Sequence, residues 1–220
     1  MQLVNLYVLM LKIWFICTNN NRNTLNFITL EQKAMARTES NMLPLGTQAP
    51  EFKLPDTISG KTMHLSEMAG KEGTVILFIC NHCPFVIHVN PEISKLAKTY
   101  QSKGIQFIGI SSNDIVNYPQ DSPELMKVKA LEADYTFPYL YDETQDVAKA
   151  YDAACTPDFY LFDDKLKLVY RGQLDDSRPG NGKALTGKDL RAAMDALLQN
   201  EPIATNQKPS IGCNIKWMNS

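Results

Sequence analysis

An excess of positive charge is the first thing this chain lacks. Lys and Arg number 22 against 24 Asp and Glu, a formal net charge of -2. The basic residues are scattered and form no stripe, so nothing gathers nucleic acid or an acidic bilayer, and nucleic-acid binding is disfavoured. Cysteine is scarce: five in 220 residues, at Cys17, Cys80, Cys83, Cys155 and Cys213. A secreted disulfide scaffold is shorter and denser in cysteine, which leaves redox or metal chemistry as the better use for these five. Internal repeats are missing, and so are long clean apolar runs. The best candidate, MQLVNLYVLMLKIWFIC at residues 1–17, is interrupted by Asn5 and Lys12 and is too short for a comfortable span of ~20 residues. Its lysine lies inside the apolar stretch, and no small-residue cleavage site follows, unlike a signal peptide.

What is present reads as one globular domain with extensions. Hydrophobic residues make up 44% and charged residues 21%, enough to bury a core. NNNRNTLN, which follows the apolar start, has the composition of a disordered segment. Residues 1–41 are therefore read as a disordered or over-called N-terminal extension, with translation starting at Met35 or Met42. A membrane-tethering segment is the alternative, and localisation is cytoplasmic unless residues 1–34 tether or export the chain. Residues 42–200 form the domain, and 201–220 a tail of little regular pattern that carries Cys213 and docks through Ile211, Ile215 and Trp217.

Within the domain, Thr62–Leu65 reads as a short edge strand and Thr74–Cys80 as a strand buried on both faces. Phe85, Val86, Val89, Ile93, Leu96, Ala97 and Tyr100 then recur at helical spacing, with Pro91 inside and Gly104 at the end. Ile105–Ile110 is a second buried strand, and strand, helix, strand without a hairpin turn gives a parallel pair. A loop over 111–123, a helix over Pro123–Ala133, a strand at Tyr139–Tyr141 and a short helix over Thr144–Tyr151 follow. Asp158–Phe162 and Leu166–Arg171 read as a hairpin about Asp163-Asp164-Lys165. Thr186-Gly187-Lys188-Asp189 resembles a capping box before a last helix. The expectation is an α/β domain with one central sheet.

The chemistry concentrates in FICNHCPFV, residues 78–86. Pro84 suits the first helical position, which puts Cys83 at the N-cap, against free backbone N–H groups and the positive end of the helix dipole. That position lowers a thiol pKa and favours the nucleophilic thiolate. Cys80, three residues back, is placed to close a disulfide with it. His82 and His88 are near in sequence, although packing is the favoured role for both.

LGTQAPEF, the GK and LS steps that follow, and the cysteine-proline step together resemble the thioredoxin-fold redoxins, closest to the alkyl hydroperoxide reductase/thiol-specific antioxidant group. FICNHCPFV, SSND, CTPDFYLFD, YRGQLDDSRPGNGK and SIGCNIKW are similar to one bacterial, peroxiredoxin-like subfamily of thioredoxin-family proteins. The resemblance runs from about residue 45 to the C-terminus. It implies a thioredoxin-like fold, a central mixed sheet flanked by helices, and a thiol-dependent antioxidant oxidoreductase with no organic cofactor. Cys83-Pro84 matches the peroxidatic cysteine and its proline. Cys80 stands where that group carries threonine, which makes the pair more like a thioredoxin C-x-x-C. By the same resemblance Thr156-Pro157 matches the threonine and cis-proline that face the dithiol. Cys155 is then near the site, with a packed core role favoured. Arg171 is a candidate active-site arginine, and Asp175, Asp176 and Arg178 read as solvated turn charges. Cys213 is open between a resolving thiol and a packed residue.

Three functions follow. In the first, Cys83 attacks a peroxide or a disulfide, Cys80 resolves, and a thioredoxin or glutathione system resets the pair. The second is a metal-binding module with Cys80, His82, Cys83 and His88 as soft ligands, since C-x-H-C before proline resembles Sco-type copper chaperones of the same fold. The third is a non-catalytic redoxin that docks partners.

Overall fold

A computed structural model of the chain describes residues 37–218. The readings of the apolar start, of Met35 as a first residue and of Cys17 lie outside the described residues. Among the described residues no helix is long and apolar enough to cross a membrane.

The centre is built by two apolar runs. Gly73–Phe78 (β4), six residues all buried, and Ile105–Ser111 (β5) pair in parallel, Val75 opposite Phe107 and Ile76 opposite Ile108. Tyr139–Tyr141 (β6) adds in parallel beyond β5. On the other side Asp158–Phe162 (β8) runs antiparallel to β4, and Leu168–Gly172 (β9) antiparallel to β8. The sheet order is thus β6-β5-β4-β8-β9, mixed, as the resemblance implied. β-Branched and aromatic residues on both faces suit a sheet covered on both sides. Ile76, Phe78, Ile108, Ile110, Tyr160 and Phe162 pack with Phe52, Leu65 and Tyr151 into one core. The alternate residues Val75, Leu77, Phe107 and Leu161 are equally buried, as period-two alternation requires.

Pro84–Gln101 (α2) connects β4 to β5 and buries Val86, Val89, Ile93, Leu96, Ala97 and Tyr100, one stripe at three- and four-residue spacing. Lys188–Leu198 (α5) packs against β9. Shorter elements complete the chain: strands Lys53–Pro55 (β2) and Thr62–His64 (β3), and helices Leu65–Met68 (α1), Pro123–Glu132 (α3) and Asp146–Ala150 (α4).

Three features differ from the sequence reading. First, the ends of the described chain are strands. Arg37–Glu39 (β1) pairs antiparallel with Ile211–Asn214 (β10), which pairs in turn with Cys155–Thr156 (β7). Arg37–Glu39 therefore lies in a sheet rather than in a disordered extension, and the tail, irregular over 201–210, carries a strand at Ile211–Asn214. Its partner is more than 170 residues away, so no local pattern announces it. Second, the capping box does not form. Gly187 is the N-cap of α5 at φ 63 with no side-chain cap. The Asp175 carboxylate takes the N–H groups of Thr186 and Gly187 instead, each at 2.6 Å, so Asp175 is a buried organiser and not a solvated charge. Third, the hairpin turn is longer than read. Leu166 takes φ 57 and β9 begins only at Leu168.

Candidate active site

The β4 ladder continues one residue past the strand, Ile79 N–H donating to Ile110 O at 2.9 Å. The chain then turns through Cys80-Asn81-His82-Cys83 into α2. Cys83 is the N-cap of α2 and Pro84 the first helical residue, as the sequence implied. Proline supplies a fixed φ where no N–H is needed, and the cap residue faces the free amides of the first turn.

The turn is held from outside by a residue that the sequence reading missed. Asp121, at the end of a 3-10 turn over Pro119–Asp121, is fully buried. Its carboxylate accepts from Asn81 N–H at 2.8 Å and Asn113 Nδ2 at 2.8 Å, and lies 2.7 Å from His82 Nδ1. His82 also stacks on Tyr118, ring centroids 5.6 Å apart. Asn81 is fixed further by Gln120 O and by the Tyr139 hydroxyl. A carboxylate in a loop has no sequence signature of burial; only the fold brings Asp121 to the turn.

Across from the turn stands β7. Thr156–Pro157 is a cis peptide, as the resemblance implied. The Cys83 thiol donates to Thr156 O at 3.2 Å, and Cys80 Sγ lies 3.4 Å from Thr156 Oγ1. Cys213 of β10 is the register partner of Thr156. Cys155 donates to Pro157 O at 3.6 Å. Four of the five cysteines thus surround one short segment, all free and all buried.

Their acidities diverge. Burial pushes the Cys83 thiol up, but the neighbouring Cys213 and Cys80 thiols and the Val86 and Cys213 amides pull it the other way, to well below the ordinary value. Only when protonated does Cys83 donate to Thr156 O, and several donors outweigh that one acceptor. Cys80 is raised by burial, by its hydrogen bond to Cys83 and by the negative charge of Asp121. Cys213 is raised by its hydrogen bond to Cys83 and by burial. Cys155 is raised by burial and by Asp158. Of the four thiols, Cys83 is thus the one whose surroundings favour the thiolate, and the other three are pushed toward the protonated form.

Arg171 does not serve that thiolate. It is fully buried, pairs Nη2 with Asp158 Oδ2 at 3.2 Å and Asp152 O at 2.8 Å, and lies 4.4 Å over the Tyr160 ring. Arg178 donates to Asp175 O, Ser177 O and Gln173 Oε1, so it ties the loop after β9 together. Of the soft ligands read from the sequence, His88 instead meets Ser177 Oγ at 2.8 Å. The donor set that does gather is Cys80, His82 and Asp121, with ligand atoms within 4.8 Å of one another. Both Asp121 oxygens are already engaged within the turn, so a metal there would have to compete with the bonds that shape it.

The chain is similar to several known proteins. A structure of a conserved protein from Geobacillus kaustophilus is 60% identical, with TM-score 0.84, covering 85% of this chain and 99% of that one. The thiol-disulfide oxidoreductase ResA of Geobacillus thermodenitrificans is 26% identical over 140 residues, 62% of this chain and 75% of that protein. At the level of fold alone, a structure of a putative thiol:disulfide interchange protein DsbE from Chlorobium tepidum, 18% identical, aligns with TM-score 0.56 over 71% of this chain and 99% of its own. The model of the AhpC/TSA family matches residues 45–171, more than half of the sequence, and the chain belongs to that family.

Proposed function

We propose that the chain is a thiol-dependent oxidoreductase with Cys83 as nucleophile and Cys80 as its partner, and that its oxidant is a small hydroperoxide. The observation that carries this is the Cys83 sulfur at the start of α2, 3.2 Å from Thr156 O, with Cys80 Sγ 3.4 Å from the hydroxyl of the same threonine. Burial favours a small oxidant: Cys83 and Cys80 are only 0% and 2% exposed, and β10 closes over them on β7. A peroxide reaches such a sulfur through a slight opening, whereas a protein disulfide has to displace a strand.

Cys83 Sγ attacks one peroxide oxygen, the O–O bond breaks, and the leaving alkoxide or hydroxide takes a proton and departs. Cys83 is left as a sulfenic acid. Cys80 Sγ then attacks the Cys83 sulfur, the S–O bond breaks, and the hydroxyl leaves with the Cys80 proton as water. The resulting Cys80–Cys83 disulfide is reduced by an external dithiol, of the thioredoxin or glutathione type.

A second reading, reduction of a disulfide by the same pair, is favoured by the cis Thr156–Pro157 bond facing the C-x-x-C and by the name of the ResA relative. Stopped-flow oxidation of the reduced protein by hydrogen peroxide separates the two. The expected result is a rate far above that of free cysteine thiolate, lost in Cys83→Ser. A rate equal to free cysteine overturns the hydroperoxide reading, and turnover of oxidised glutathione by the same protein then identifies disulfide exchange.

A further inference from the structure

β10 brings a third thiol to the reacting sulfur. Cys213 lies opposite Thr156 in the β10–β7 register, and Thr156 O is the group that Cys83 Sγ touches at 3.2 Å. Cys80 Sγ lies 3.4 Å from the Thr156 hydroxyl. Thr156 is therefore the root of a fork about Cys83, with Cys80 on one arm by contact and Cys213 on the other by strand register.

The second arm is built in rigidly. Ser40 N–H donates to Ser210 O and Ser210 N–H to Ser40 Oγ, both at 2.9 Å. Beyond the strand, Ile215 N–H donates to Ala154 O at 3.1 Å and Lys216 N–H to Asn113 Oδ1 at 2.8 Å. Gly212 lets the strand sit this close: a Cβ there would lie 2.0 Å from Thr156 O and 3.1 Å from Pro157 N. Glycine at 212 is what lets β10 lie against Thr156 and Pro157, with Cys213 in register opposite Thr156.

We propose that Cys213 is a second resolving thiol, forming a Cys83–Cys213 disulfide in competition with Cys80. It rests on Cys83 being the residue that a hydroperoxide oxidises. Once Cys83 is a sulfenic acid, Cys213 Sγ attacks its sulfur. The S–S bond forms, the S–O bond breaks, and the hydroxyl leaves with the Cys213 proton as water. Cys80 then gives up its proton and attacks Cys83 Sγ, the Cys83–Cys213 bond breaks, and Cys213 takes the proton. That last step leaves the oxidation level of the chain unchanged, Cys80 being oxidised as Cys213 is reduced; it transfers the disulfide from β10 to the C-x-x-C at the helix start, freeing β10. The Cys83–Cys213 state joins β10 covalently to α2 while the oxidised sulfur waits for Cys80, which protects it from further oxidation.

The test is a disulfide map of the full chain after one equivalent of hydrogen peroxide. In Cys80→Ser the expected result is a peptide linking Cys83 to Cys213 and the loss of two thiols per chain. In Cys80→Ser with Cys213→Ala, Cys83 is expected instead as a dimedone-trapped sulfenic acid. The wild-type chain, acid-quenched during oxidation, gives a measure independent of how the variants fold: the Cys83–Cys213 peptide rises first and Cys80–Cys83 replaces it. Cys83 trapped as sulfenic acid in Cys80→Ser while Cys213 stays alkylatable overturns the role of Cys213 and leaves Cys83 as nucleophile. A Cys83 link to Cys155 or Cys17 overturns it likewise. An unmodified Cys83 in the wild-type chain overturns both this proposal and the function on which it rests.

Discussion

Cys83 and Cys155 both lie against the Thr156–Pro157 segment, and both are 0% exposed. Each touches a backbone carbonyl, Thr156 O for one and Pro157 O for the other. The region around Cys83 is a helix start with two further thiols and backbone amides near the sulfur, and its thiol is driven down. The region around Cys155 faces Asp158, and its thiol is driven up by burial and by that charge, with Arg171 and Arg178 pulling weakly the other way. Equal burial with opposite acidity shows that desolvation sets the cost and the surrounding donors decide the outcome. A reactive cysteine is recognised by what points at it, not by how open it is.

The largest expected effect breaks that contrast directly. Titrating thiolate ultraviolet absorbance in the reduced protein is expected to show one thiolate persisting well below the ordinary cysteine range of about 8.5. Cys83→Ser removes it, and Cys155→Ser leaves it in place. The linkage has a definite sign: a depressed folded value makes the Cys83 contribution to stability complete above about 8.5 and lost as pH falls toward the folded value. Denaturant midpoints of the reduced protein should accordingly drop more with falling pH in the wild-type chain than in Cys83→Ser. A thiolate that survives in Cys83→Ser would reassign the nucleophile.

The next effect is on the other side of the comparison. The Arg171–Asp158 pair beside Cys155 is buried with Arg171 Nε, Arg171 Nη1 and Asp158 Oδ1 lacking partners among the described residues. Burial lifts the Asp158 carboxyl to about 6 against the pull of Arg171. Raised above the unfolded value of about 3.9, Asp158 favours folding fully below that pH, and the contribution is lost as pH rises through about 6. Arg171→Met strands the carboxylate and should cost about 3–5 kcal/mol at neutral pH, measured by denaturant unfolding. The loss should shrink as pH falls through about 6, where Asp158 takes a proton in the folded chain. A loss independent of pH would mean that Arg171 stabilises through its packing on Tyr160 and not through the charge pair.

How much of this was legible follows the same division between local and distant causes. β4 and β5 are apolar runs that announce themselves, and α2 declares its start through Pro84 and its stripe through Val86, Val89, Ile93 and Leu96. The placing of Cys83 at the N-cap needed only the strand-to-helix junction, so it was readable. β10 was not, because Ile211–Asn214 become a strand only between β1, at the start of the described residues, and β7, between α4 and β8. The start of α5 looked like a local cap at Thr186, yet Asp175, eleven residues earlier, supplies the acceptor. Asp121 was hidden in the same way: nothing in SPELM or NYPQD distinguishes a buried carboxylate from a solvated one.

Asp121 gives the smallest and most specific test. Asp121→Asn keeps the volume but turns one acceptor edge into a donor, opposite the N–H groups of Asn81 and Asn113 that now bond the carboxylate. Leaving a buried donor unsatisfied costs about 1–3 kcal/mol, so a loss of that size is expected in denaturant unfolding. The distinguishing readout is Cys80. Burial, Cys83 and Asp121 together hold the Cys80 thiol up, with Asp121 acting through its negative charge. Removing that charge should lower the Cys80 value and raise its alkylation rate at a fixed neutral pH, followed residue by residue in peptide maps, while Cys155 does not change. If Cys80 alkylates at the wild-type rate in a destabilised Asp121→Asn, the carboxylate only shapes the turn. If the rate rises, Asp121 also keeps the resolving thiol protonated until Cys83 has been oxidised, and the turn that positions the two sulfurs also times their reaction.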